Sequence, residues 1–209
     1  MNKFVLLVLF VCTFGAQAAE KLVLDLDFDS DLLSFSHNID GLPLKATMNF
    51  SATRAGNINE NFLADALKNH LAATVLVRID GEIAGFATEQ EVLVTDAVSG
   101  ETVAESAWLI TLNYPGASGF MAVSQHENSG PVLELINKVV QDPEGPWPDK
   151  FQRFLTSSNS PTVQLAVGDL AGYQGGQFEE YNSINPADLA KLKRFRAKVQ
   201  FVIYPGLNN

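Results

Sequence analysis

The chain has a single cysteine, Cys12, among its 209 residues. That position falls in a removable leader, so the mature protein is expected to have no disulfide, no thiolate metal site and no cysteine nucleophile. Basic residues are also scarce: 14 Lys and Arg stand against 24 Asp and Glu, a formal charge of -10. Such a balance argues against nonspecific binding to nucleic acid or to an anionic membrane surface. Only three histidines are present, His37, His70 and His126, and they lie far apart. His126-Glu127 lacks the second histidine of a metalloprotease helix. There is no Gly-x-Ser-x-Gly elbow, no Ser-x-x-Lys, no internal repeat and no low-complexity run.

The N-terminal apolar run identifies the leader. Lys3, the stretch Phe4 to Phe14 and the ending Ala16-Gln17-Ala18 have the form of a secretory signal peptide over residues 1–18, cut before Ala19. A membrane helix would need about 20 apolar residues, and polar sequence resumes at Glu20. Taking Lys3 from the total of -10 leaves -11 for residues 19–209, read as one domain. A secreted chain without disulfides fits a bacterial periplasm or exterior, so the expected location is periplasmic or secreted, with no membrane span in the mature chain.

Strand periods dominate what remains. Residues 74–113 read as a three-stranded meander, turning at Asp80-Gly81 and again at Val98-Ser99-Gly100. Leu22, Leu24, Leu26 and Phe28 alternate with Asp25, Asp27 and Asp29 in a half-buried strand, and Leu33 to Ile39 continues the pattern before a turn at Asp40-Gly41. At the other end, Phe195 to Ile203 forms a final strand with Arg194, Arg196 and Lys198 on its polar face. Opposite charges on the two terminal strands suggest that they pair. Val163, Leu165 and Val167 mark one strand more, and Gly119 to Val123 a short one.

Helix signals occur at four places: Asn59 to Leu71, with His70 on its apolar stripe; Pro131 to Gln141; a short piece carrying Phe151, Phe154 and Leu155; and a restart at Asn185-Pro186 with Ile184 and Leu189 as a hydrophobic staple. Gly168 to Asn185 shows neither period and reads as a glycine-rich aromatic loop. The expected class is α+β: a long curved antiparallel sheet, a meander able to close in part, with three or four helices packed against one face or end.

Chemistry is less well marked. Ser124, His126 and Glu127 are the candidate catalytic residues, in a polar sextet that reads as a loop capping a helix. If that sextet is extended, Ser124 and His126 share a face about 7 Å apart, too far for direct contact. Asp25, Asp27, Asp29 and Asp31 echo a calcium loop, but Ser30 and Ser36 replace its glycine and final glutamate, so no metal site and no cofactor are assigned. Trp147, Tyr173, Phe178 and Tyr181 are the candidate ligand-binding residues, aromatic groups on proline- and glycine-rich backbone suited to a lid over an apolar pocket. The expected function is binding, of a small apolar ligand or an envelope partner protein. The alternatives are a hydrolase or isomerase using Asp, Glu or His, and an accessory subunit of an envelope complex.

Overall fold

The computed structural model describes residues 20–37, 70–95, 100, 102–157, 161–191 and 197–206. The leader, the turn at Asp40-Gly41, most of the Asn59 helix and the turn residues Val98 and Ser99 lie outside these. In chain order the described elements are β1 (Leu22–Asp27), β2 (Leu32–His37), β3 (His70–Ile79), β4 (Glu82–Thr95), β5 (Thr102–Leu112), β6 (Gly119–Glu127), α1 (Gly130–Gln141), β7 (Gln152–Leu155), β8 (Thr162–Gly168), a 3-10 turn (Ala171–Tyr173), β9 (Phe178–Ile184), α2 (Pro186–Ala190) and β10 (Ala197–Ile203).

All ten strands belong to one antiparallel sheet in the order β7-β9-β10-β1-β3-β4-β5-β6-β8, with β2 also paired to β3. The sheet curls on itself as a half-barrel. Single bridges tie its ends: Glu127 to Ser157, and Thr162 to Gln177. Two in-strand glycines fit the tight curl, since a Cβ on Gly85 would strike Thr111 O and one on Gly119 would strike Val167 O.

The meander is present as β3-β4-β5. Asp80 (φ 51°) and Gly81 (φ 86°) both have the positive φ that a two-residue hairpin of this hand requires. The terminal strands do pair, Leu22 opposite Ile203 through Asp27 opposite Lys198.

The α+β expectation is corrected to a nearly all-sheet fold: among the described residues there are two α-helices, not three or four. The stretch with Phe151, Phe154 and Leu155 has helical spacing, but it is too short to nucleate a helix alone, and it hydrogen-bonds to β9 as β7 instead. His70 and Leu71, assigned to the end of a helix, open β3. The Gly168–Asn185 loop contains β9, and the sextet at 124–129 continues β6 as far as Glu127. The two helices that are present match their sequence signals. In α1, Lys138 Nζ meets Glu134 at 2.5 Å, and Asn185 caps α2 by accepting from the N–H groups of Ala187 and Asp188.

The inward face of the curl is the core. Trp108 is fully buried and takes the edges of Phe28 and Phe201 at centroid distances of 6.4 and 5.2 Å, with Leu24, Leu26, Val75, Val77, Ile110 and Phe178 around them. A smaller cluster joins Leu135, Ile136 and Val139 of α1 to Ile184 and Leu189. No helix among the described residues is long and apolar enough to cross a membrane.

Candidate functional site: a carboxylate cluster inside the curl

Strand alternation turns polar residues inward alongside apolar ones. On β4, Ala87, Glu89, Glu91 and Leu93 share the inner face; on β6 the set is Met121, Val123, Gln125 and Glu127; on β9 it is Phe178, Glu180, Asn182 and Ile184. Register then aligns them across the sheet. Glu91 lies opposite Ser106 and Ser106 opposite Gln125, while Ala104 stands opposite Glu127 and Glu89 opposite Trp108. The acidic group is thus continuous with the aromatic core, at its Trp108 boundary.

Four glutamates converge here. Glu89, Glu127 and Glu180 are buried, and Glu91 keeps a partly exposed edge. Carboxylate oxygens of Glu89, Glu91 and Glu127 all lie within 4.8 Å of one another. Glu180 is held beside them: Gln125 Nε2 donates to its Oε2, and Asn182 Nδ2 donates to its Oε1 at 3.1 Å and to Thr156 Oγ1 at 2.8 Å. No lysine, arginine or histidine among the described residues hydrogen-bonds or ion-pairs with any of the four.

The electrostatic result is strong retention of protons. Burial pushes Glu91 up to about 7, partly offset by a hydrogen bond from Glu89. Burial and the Glu91 charge push Glu127 up to about 8, with Ser106 and Gln125 drawing it back in part. Glu89 and Glu180 are raised well above the ordinary carboxylate range, first by burial and then by their acidic neighbours. Several polar atoms in the same interior have no partner: Ser106 Oγ, Trp108 Nε1, Gln125 Oε1 and Glu127 Oε1.

The residues singled out from sequence are scattered. Glu127 belongs to the cluster, whereas Ser124 and His126 sit on the opposite face of β6. His126 Nδ1 contacts Glu105 at 2.6 Å on the outside, and Ser124 accepts from Gln164. The aromatic set does not form one rim. Phe178 packs in the core against Phe201, and Tyr181 lies outside beneath Arg153, whose guanidinium is 3.7 Å from the ring centre. Tyr173 donates to Glu20 O, and Trp147 packs against α1 while donating to Asp142 O. Of the four aspartates, Asp31 accepts from Nε and Nη2 of Arg78, and Asp27 accepts from the N–H groups of Asp29 and Ser30.

A groove of about 470 Å³ lies on the outer wall and is lined by Asp25, Asp27, Arg78, Arg153, Lys198 and Gln200. Its charges largely satisfy one another. Lys198 Nζ is 3.6 Å from Asp27, Gln200 Nε2 donates to Asp25, and Arg153 donates to Gln200. The convergent acids and this groove therefore do not coincide. Neither protein-family models nor curated proteins yield a match for the chain.

Proposed function

We propose that this is a periplasmic or secreted binding protein whose ligand is a small cation, received at the acidic end of the curled sheet. One observation carries the reading: four inward glutamates share a low-dielectric site with no basic side chain among the described residues bonded to any of them. Like charges so placed oppose folding unless protons or a bound cation neutralise them. A bound cation would relieve burial and mutual repulsion together, which gives it a large differential affinity for the folded state.

The expectation of an apolar ligand has less support. Trp108, Phe201, Phe178 and Leu24 fill the inner face where such a ligand would lie, and the four candidate aromatics point to different surroundings. The test is thermal unfolding of residues 19–209 at neutral pH with calcium, magnesium, putrescine or a fatty acid added. Stabilisation by a cation and not by the fatty acid is the expected result. Stabilisation by the fatty acid alone would return the ligand to the apolar class.

A further inference from the structure

The inference here rests on the cation-binding reading and names the kind of cation. We propose that Glu89, Glu91 and Glu127 form a binding site for one hard divalent metal ion, calcium in preference to magnesium, completed by the neutral oxygens of Ser106 and Gln125.

The donor set is all oxygen. Cysteine is absent from it, and the nearest histidine in sequence, His126, points outward to Glu105, so the soft and borderline metals that seek sulfur or imidazole find no such ligand here among the described residues. Spacing separates the two common hard ions. Oxygens on calcium lie at about 2.3–2.6 Å, so two ligands of one ion stand at most about 5 Å apart, whereas the octahedron of magnesium allows about 4.2 Å. The carboxylate oxygens all lie within 4.8 Å of one another, inside the span that the larger shell allows.

A second observation concerns the neutral groups beside the acids. Ser106 is 4% exposed and sits against Glu127, whose charged form it favours, and its Oγ makes no other hydrogen bond. Gln125 is 7% exposed; its Nε2 is committed to Glu180, and its Oε1 is unpartnered. Burying such atoms unpaired opposes folding. Both lie in one row with Glu91 across β4, β5 and β6. An ion held by the three glutamates would use these oxygens, and Gln125 could ligate it without giving up Glu180.

The experiment is isothermal titration of metal-stripped residues 19–209 with calcium chloride and with magnesium chloride, joined to terbium luminescence. Trp108 lies directly across from Glu89 in the β4–β5 register, so terbium in this site should be sensitised through its indole. Expected are one calcium per chain, weaker magnesium, terbium emission displaced by calcium, and loss of that emission in Trp108→Phe with calcium binding retained. Glu127→Gln should weaken calcium at least tenfold. Should that variant misfold, Glu91→Gln at the partly exposed edge serves the same purpose. Absence of saturable calcium binding up to millimolar concentration overturns the metal site, as does binding that Glu127→Gln and Glu91→Gln leave unchanged. If putrescine stabilises the chain and calcium does not, the metal assignment fails while the cation-binding reading stands. If no cation acts, both fail.

Discussion

The two ends of the inner face are built from the same strands and to opposite effect. At one end Trp108 meets Phe28 and Phe201 edge to face and Phe178 tilts against Phe201, and burial of these rings favours the folded chain. At the other, two residues along β4 and β6, Glu89, Glu91, Glu127 and Glu180 crowd into one buried site, and Glu91, Glu127 and Glu180 each raise the proton affinity of another. A sheet that needed only stability would continue the aromatic pattern, because buried charges without partners are replaced by apolar groups at no loss. The difference teaches where to seek function: local rules are kept at the aromatic end and broken at the acidic one.

The comparison is tested most severely at its strong end. Trp108→Ala should destabilise the protein by about 3–5 kcal/mol, the usual cost of removing a large buried aromatic side chain. Urea unfolding measures it, and a loss under about 1 kcal/mol would mean that the aromatic end is not the structural anchor.

At the acidic end the sign should reverse. Metal-free Glu127→Gln keeps the shape of the side chain and removes a charge, so near pH 8 the variant should be more stable than the parent, by about 1–3 kcal/mol. Near pH 5, where the parent residue is already protonated, the gain should vanish.

The parent protein should show the same effect without mutation. Glu91 and Glu127 have folded-state values of about 7 and about 8, above the ordinary glutamate value of 4.5. The folded chain therefore binds more protons than the unfolded one between these limits. The stability linked to them is complete below about pH 4.5 and is lost as pH rises through 7 and 8. Melting temperature in a chelating buffer should fall from pH 5 to pH 8, and added calcium should recover it.

How far this contrast could be read in the sequence follows from range. The β3–β4 hairpin was legible because Asp80-Gly81 and the flanking alternation are local. So was the pairing of β1 with β10, because a slip of one residue would turn Leu22, Leu24 and Leu26 to water. Short stretches failed: Phe151, Phe154 and Leu155 have helical spacing but are claimed by the free side of β9, a tertiary choice. The acidic site comes from β4, β6 and β9, and only strand order and register bring it together. Yet a trace was present. Glu89 and Glu91 are in phase with Ala87 and Leu93, Gln125 and Glu127 with Met121 and Val123, and Glu180 with Phe178. Acids on the apolar beat of a strand are the signal that a search for motifs passes over.

The smallest predicted effect supplies the control. The outer wall of the same sheet also carries carboxylates, but there they meet opposite charge and water. Asp27 stands across from Lys198 in the β1–β10 register with 3.6 Å between the charged groups, and the two side chains are 28% and 51% exposed. The charge ladder expected between these strands is only partly present: Asp25 faces Gln200 and accepts its amide hydrogen, and Arg194 and Arg196 lie outside the described residues. High dielectric and the entropy of a mobile lysine hold such a pair to about 0.2–1 kcal/mol. A double-mutant cycle with Asp27→Asn and Lys198→Met should therefore give a small favourable coupling at low salt that fades as the Debye length shortens toward about 3 Å in molar salt. If instead the outer pair couples as strongly as Glu127→Gln shifts stability inside, burial is not what separates the two sets of carboxylates, and the argument for a cation at the inner site loses its physical basis.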